Sequence, residues 1–337
     1  MKAVVYTAPK EYSYAPDLKE IPVPAKGQVL IKVECGVINP TDTYFLSGQY
    51  NGTYAYPLVP GLEGSGTVIA SGGGLMAWSL VGKRVAFTRI NERPAQYTQG
   101  GSYAEYCVTN AMLCIKLDDG VSFEQGANGV INPLTAIGIL DTIQQKKARA
   151  VIQTGGNSQM GRMLIRLFRE NNIASISIVR KDDQLQQLKE KFAADNTFFL
   201  NSESPDFKKD LKALAKTLQA TVALECVAGP MTGHISDCLP PLSTIIQYGQ
   251  LSEQKMEGIN PMQVIAKGLK VEGFLLGNWL KNKSMWGAYS ATQKARELVE
   301  EVIVNKAFGL HQIHEAMAEY KANMGKGKVL IKPSLTE

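Results

Sequence analysis

The sequence predicts an α/β protein in which a mostly antiparallel β domain is split around a doubly wound parallel sheet. Three observations predict it. The first hundred or so residues are short strand-like runs punctuated by Gly and Pro, the texture of antiparallel strands with tight connections. From about Phe123 helical patterns alternate with apolar strands, the signal for parallel strands with crossover helices. The chain then closes on another strand, Lys328-Val329-Leu330-Ile331. The β-rich domain is therefore placed at residues 1–122 and 278–337, and the parallel-sheet domain at 123–277.

In the first part, Val29 to Cys35 is the clearest strand. Asn39-Pro40-Thr41-Asp42 then carries a helix start: a capping Asn, Pro at the first helical position and an acid in the first turn. Gly61 to Ile69 reads as a strand whose frequent glycines imply backbone packed closely against backbone. Gly82 to Phe87 and Tyr103 to Val108 are two more strands, separated by a polar surface loop from Asn91 to Gly101. In the second part, strands are expected at Ile176–Val179, Thr197–Leu200, Val222–Leu224, Thr244–Tyr248 and Leu269–Phe274. Helices are expected at Gln184–Phe192, Phe207–Leu218 and Thr232–Leu239, and beyond the sheet at Thr292–Val304 and Ile313–Tyr320.

The stretch from Val151 to Gly161, running on into Phe168, is an apolar strand, a glycine-rich turn and an amphipathic helix in that order. Such a unit presents unpaired N–H groups and the positive end of a helix dipole to a pyrophosphate. About 20 residues further on, where an acid commonly binds the adenosine ribose, stand Arg180 and Lys181. A cationic fork there suits a 2′-phosphate and favours NADP over NAD. The other reading makes them solvated bases, with Asp182 or Asp183 on the ribose.

Composition excludes several classes. No apolar run approaches the roughly 18 residues of a membrane span. The net charge of +5 comes from 36 Lys and Arg interspersed with 31 Asp and Glu, which offers no basic stripe to a nucleic acid. Five cysteines, Cys35, Cys107, Cys114, Cys226 and Cys238, are odd in number, lack C-x-x-C spacing and lie in apolar runs expected to be core, which fits a reducing compartment. No signal or transit pattern precedes the first strand-like run, so a cytoplasmic home is expected, or a mitochondrial one had a presequence been removed. His234, His311 and His314 have no metal-ligand spacing and read as surface or helix residues.

The order of elements resembles the medium-chain dehydrogenase/reductase superfamily over nearly the whole chain, in its zinc-free branch. Val37 to Tyr44 with Gly48-Gln49-Tyr50 is similar to both quinone oxidoreductases and mitochondrial-type trans-2-enoyl thioester reductases. Asn132 to Ala136, Asn157-Ser158, Val179-Arg180, Tyr248 to Leu251 and Gly273 to Trp279 are closer to the enoyl reductases. The resemblance implies a GroES-like catalytic domain, a Rossmann domain and a homodimer. In zinc relatives the metal ligands are a Cys, the His of Gly-His-Glu and a second Cys. The matching places hold Asn39, Leu62 and roughly Ile131, and the four-cysteine structural lobe is missing, so no metal is expected.

What the resemblance implies about chemistry is reduction of a C=C conjugated to a carbonyl by hydride from NADPH, with Tyr50 as the catalytic donor to the carbonyl oxygen. Tyr44, Tyr54 and Tyr56 compete for that role, and a half-buried packing tyrosine is the plain alternative. The implied cofactor contacts are Asn132, Asn157, Ser158, Gln159, Met160, Arg180, Tyr248, Gly249, Gln250, Leu251, Phe274, Leu275, Leu276 and Lys328, and Trp279 lines the substrate pocket. Asn132 could equally cap a helix before Pro133. Gln159 replaces a glycine of the reductases, which raises the question of how closely the loop approaches a pyrophosphate, and Leu275 replaces a Trp of the enoyl reductases. The first reading is a 2-enoyl thioester reductase acting on coenzyme A or acyl carrier thioesters. The second is an NADPH:quinone or enal/enone reductase, and the third an NADPH-binding protein with a structural or regulatory role.

Overall fold

The structure, a computed structural model, describes residues 1–18, 21–49, 56–89, 100–299 and 302–335, without the side chain of Met285. Tyr50, Tyr54 and residues 91–99 of the polar loop lie outside the described residues. Two compact units result, residues 1–133 with 292–337, and residues 134–291.

The first unit begins with an antiparallel hairpin of β1 (Ala3–Ala8) and β2 (Glu11–Ala15). Its main sheet contains β3 (Gln28–Val37), β4 (Glu63–Ser71), β5 (Arg84–Thr88), β6 (Tyr106–Asn110) and β7 (Cys114–Lys116). The strands β14 (Val304–Phe308) and β15 (Lys328–Ile331) return from the far end of the chain to join it. The order is β14-β15-β3-β4-β5-β7, with β6 also on β3, and every pairing is antiparallel except β14 with β15. At its centre the alternating residues Val29, Ile31 and Val33 bury one face against Val68, Val85 and Phe87. The glycines of β4 have the reason expected of them. A Cβ on Gly66 would fall 2.1 Å from the Lys32 carbonyl oxygen, and one on Gly64 2.7 Å from that of Cys35.

The second unit is a six-stranded parallel sheet. Its strands are β8 (Ala150–Gln153), β9 (Ala174–Val179), β10 (Thr197–Asn201), β11 (Val222–Glu225), β12 (Thr244–Gln247) and β13 (Lys270–Gly273). They lie in the order β10-β9-β8-β11-β12-β13, all parallel. Counting β8 as first, this is the order of doubly wound dinucleotide-binding sheets, with the switch point between β8 and β11. Ile152, Ile176, Ala223 and Ile245 sit in a core covered by helices that include Phe207–Thr217 and Pro230–Cys238. All five cysteines are free and buried.

Two local expectations fail. The helix expected at Thr292–Val304 is shifted towards the N-terminus: it runs Met285–Arg296, and Val304 instead opens β14 opposite Lys328. The β-branched run Val302-Ile303-Val304 gains more from a place beside β15 than from a helix. Nor does Asn132 cap a helix, since it lies inside the first turn of the helix Ile131–Gln145.

The close approach of β3 and β4 yields a stability prediction. Gly66→Ala should lower stability by roughly 1–3 kcal/mol or more, because a methyl group there must displace backbone. Gly120→Ala, with nothing within 4 Å of its Cβ, should be neutral. Equal thermal midpoints for the two variants would contradict this packing account.

Candidate functional site

In the second unit the residues expected to bind the cofactor collect at the carboxyl ends of the strands, where parallel sheets bind ligands. After β8 the chain turns through Thr154-Gly155-Gly156-Asn157 into the helix Gln159–Glu170. Ser158 caps this helix, its Oγ accepting the Gly161 N–H at 3.0 Å. The turn is tight. A Cβ on Gly161 would fall 2.5 Å from the carbonyl oxygens of both Gly155 and Gly156, and one on Gly155 2.9 Å from the Cys226 Sγ. Gly155 also has φ +63°, a conformation natural to glycine. Asn157 is turned inward, its Oδ1 accepting from Arg162 Nη2 at 2.8 Å, so it braces the loop. Gln159 and Met160 are half-buried at the head of the helix.

The end of β9 lies against this loop, the Gly156 N–H donating to the Ile178 carbonyl at 3.0 Å. Two residues on, Arg180 is exposed and makes no ion pair among the described residues. Asp182, the alternative ribose ligand, accepts instead from Asn201 Nδ2 at 2.8 Å. After β12, Tyr248 to Leu251 turn back towards the loop: the Tyr248 N–H donates to the Glu225 carbonyl at 3.0 Å and the Leu251 N–H to that of Cys226 at 2.8 Å. Gly249 allows this, since a Cβ there would lie 3.1 Å from Cys226 backbone. Burial pushes the Tyr248 phenol well up and the Cys226 thiol to about 11, so neither is ionised near neutrality. Gln250 is fastened locally, its Nε2 donating to the Gln254 carbonyl at 2.7 Å.

Phe274 follows β13, with its N–H on the Gln247 carbonyl at 2.9 Å. Leu275 is half exposed and Leu276 half-buried at the start of the helix Leu276–Lys281. Trp279 is anchored to the helix Ile131–Gln145, its indole N–H donating to Asp141 Oδ2 at 2.8 Å. Lys283 donates to the same oxygen at 2.8 Å. Burial opposes the Asp141 charge, but these two donors outweigh it and hold its pKa down. Asn132 and Lys328 belong to the other unit.

Lys328 holds a different position from a surface lysine. It is buried at the start of β15, with its ammonium donating to Asn39 Oδ1. Asn39 Nδ2 donates in turn to Glu63 Oε1 at 2.9 Å, and Glu63 Oε2 accepts the Ile131 N–H at 2.7 Å. Asp42 accepts the Asn39 N–H at 2.9 Å and the Leu62 N–H at 3.0 Å. The three positions matched to metal ligands, Asn39, Leu62 and Ile131, are thus drawn together around two buried carboxylates and one ammonium. Asn39 caps the helix Pro40–Leu46 by position, but its side chain belongs to this network.

Nothing local in the sequence marks Asp42 or Glu63 as members of this network, or Thr154 and Glu225 as the buried partners they are in the parallel-sheet unit. The one trace of Glu225 is an acid ending an apolar strand just ahead of Gly229-Pro230.

The carboxylates give a pH prediction. Burial raises Asp42 to about 7 against its backbone bonds, raises Glu63, and lowers Lys328 to about 8. A raised carboxyl pKa contributes stability that is full below the ordinary carboxylate range and lost as pH rises through the folded value. The depressed Lys328 pKa works the other way, adding stability as pH rises above about 8. The thermal midpoint should therefore fall between pH 4 and 7 on account of Asp42. Because Lys328 holds both carboxyl pKa values down, Lys328→Met should carry that fall beyond pH 7. Parallel curves for the two proteins from pH 4 to 9 would refute the coupling.

With this geometry in place, likeness to known proteins can be weighed. The alcohol dehydrogenase GroES-like domain profile matches residues 25–119, and the zinc-binding dehydrogenase profile matches residues 160–293. The chain is 28% identical over 311 residues to the mitochondrial enoyl-[acyl-carrier-protein] reductase of Arabidopsis thaliana, covering 90% of this chain and 77% of that protein. A solved structure assigned as an NADPH:quinone reductase, from Mesorhizobium loti, is 33% identical with a TM-score of 0.83, covering 99% of this chain and 98% of the other. An enoyl thioester reductase from Candida tropicalis, 24% identical with a TM-score of 0.75 over 98% of this chain and 99% of the other, shares the fold. The chain belongs to the medium-chain dehydrogenase/reductase superfamily and is of the enoyl reductase and quinone reductase type.

Proposed function

We propose that the protein is an NADPH-dependent, zinc-independent reductase of C=C bonds conjugated to a carbonyl, with 2-enoyl thioesters as its substrates. The observation that carries the cofactor reading is Arg180, exposed and free of acid partners at the end of β9, two residues beyond the strand position bonded to the phosphate loop. The residues fit the dinucleotide: the turn is held to backbone thickness at Gly155, Gly156 and Gly161, and a helix N-terminus faces it. NADPH, when bound, supplies the hydride. The chain would hold its pyrophosphate at Gly155 to Met160 and its 2′-phosphate on Arg180, with Lys181 beside it.

Zinc independence rests on the donor set. Asn39, Leu62 and Ile131 offer no thiolate or imidazole, and Lys328 brings an ammonium among Asn39, Glu63 and Asp42. Polarising the carbonyl then falls to a hydroxyl, and the resemblance assigns this to Tyr50, four residues beyond the helix that Asp42 and Asn39 begin. The thioester reading is supported by the mitochondrial enoyl reductase relatives and leaves coenzyme A or an acyl carrier as the thiol partner. Quinone or enone reduction is the second reading, favoured by 33% identity to the Mesorhizobium loti protein.

A homodimer is also proposed. All four residues of β13 are exposed at the edge of the parallel sheet, where a second copy could extend it. A single-chain mass by light scattering would remove that part. Compartment stays an expectation, cytoplasmic or mitochondrial. No helix among the described residues is long and apolar enough to cross a membrane.

Purified protein with NADPH should lose nicotinamide absorbance on addition of trans-2-enoyl thioesters, and Tyr50→Phe should slow turnover about a hundred-fold or more. No thioester-dependent loss at any chain length, with turnover of quinones instead, would establish the second reading. Arg180→Ala should weaken NADPH binding about 10- to 100-fold and leave NADH binding unchanged. Equal losses for both cofactors would place the 2′-phosphate elsewhere.

A further inference from the structure

Glu225 ends β11 with no exposure to solvent, and no cofactor contact was expected of it. A carboxylate in that position must collect donors or strongly destabilise the fold. It collects four. Oε1 accepts from Thr154 Oγ1 at 3.0 Å and from the Val227 N–H at 2.7 Å. Oε2 accepts from the Ala228 N–H at 2.7 Å and from Thr232 Oγ1 at 2.9 Å.

These donors come from three places around the switch point. Thr154 is the first residue of the phosphate loop, and its hydroxyl also accepts the Cys226 N–H at 2.9 Å. Val227 and Ala228 form a turn in which Ala228 has φ +66° and Gly229 φ +60°, conformations that need holding at the non-glycine position. Thr232 lies in the first turn of the helix Pro230–Cys238. The backbone of the same segment carries the second cofactor loop: the carbonyls of Glu225, Cys226 and Val227 accept from the N–H groups of Tyr248, Leu251 and Ser252 at 3.0, 2.8 and 2.9 Å. Leu251 in turn reaches the phosphate loop, its Cδ1 3.9 Å from where a Gly155 Cβ would stand.

We infer that Glu225 is a positioning residue for the dinucleotide: through Thr154 on one side and residues 226–228 on the other, its carboxylate sets the phosphate loop and the Tyr248–Leu251 loop into one preformed cradle. This rests on the NADPH reading above. A preformed cradle binds without first ordering two loops, so the contribution falls on cofactor affinity. An amide cannot replace the carboxylate, because either orientation of Gln aims an NH2 at one fixed backbone N–H and one hydroxyl donor. At Thr154 the hydroxyl alone is needed, so Ser can serve and Val, of the same shape, cannot.

Calorimetric titration of wild type, Glu225→Gln, Thr154→Val and Thr154→Ser with NADPH tests this, with near-ultraviolet circular dichroism checking that each is folded. Glu225→Gln and Thr154→Val should bind about ten-fold or more weakly. Thr154→Ser should bind like wild type, and KM for the acceptor at saturating NADPH should be unchanged in all. Should Glu225→Gln not fold, the Thr154 pair decides. Wild-type affinity in Thr154→Val, or an equal loss in Thr154→Ser, overturns the inference while leaving the cofactor reading standing. A wild type that binds no NADPH overturns both.

Discussion

A carboxylate removed from water must be given hydrogen-bond donors, and each unit of this protein contains one that dictates the geometry around it. In the parallel-sheet unit it is Glu225 at the end of β11, and in the β unit it is Glu63 at the start of β4. Both recruit backbone N–H groups of the segment that must be placed: Val227 and Ala228 in one case, Ile131 in the other. Backbone donors are the useful ones, because fixing an N–H fixes the path of the chain. The remaining lone pairs take side chains from a second element, Thr154 and Thr232 for Glu225, Asn39 for Glu63. A buried charge of this kind adds little net stability, but losing any one donor leaves the others holding an under-satisfied ion. That asymmetry makes such clusters intolerant of rearrangement, which suits segments that must keep one shape.

The two clusters differ in charge, and the difference bears on chemistry. Glu225 is satisfied by neutral donors alone. Glu63 and Asp42 share the Lys328 ammonium, which desolvation holds at about 8 and which the two acids hold up. In zinc-using relatives the matching positions place a dication among thiolates and imidazole. Here the matching Asn39 carries instead a hydrogen bond from the Lys328 ammonium. On the zinc-independent reading proposed above, stabilisation of developing negative charge falls to a hydrogen-bond donor.

Sequence legibility followed the range of the interaction. The capping of the helix Pro40–Leu46 was readable because Asn39 and Asp42 are three residues apart, and the phosphate loop because strand, glycines and helix are contiguous. Arg180 stands out in the sequence because topology, more than residue type, assigns that position, and its role is a proposal. Lys328 was implied as a cofactor contact only through resemblance, being one of several lysines near the C-terminus. Its partner Asn39 is 289 positions away, and nothing local distinguishes it. Glu225 was passed over for a related reason: an acid at a strand end is ordinarily a solvated one, and its burial depends on Thr154, 71 positions earlier. Periodicity at Thr292–Val304 misleads because the value of Val304 to β14 lies in its pairing with Lys328, which a helical pattern cannot register.

Gln159 looked from the sequence like a fault in the phosphate loop, since a glycine commonly stands there. The crowding is elsewhere. The positions that cannot carry a side chain are Gly155, pressed on Cys226, Gly156, whose Cβ would stand 2.9 Å from that of Ser177, and Gly161, pressed on the carbonyls of the turn. Those three glycines bring the helix down onto the strand end and keep the turn thin. Gln159 occupies the first position of the helix and is half-buried. The loop therefore keeps the tight shape a pyrophosphate site requires. What Gln159 adds at the helix head is a neutral side chain, compatible with an anion there in a way that an acid would not be.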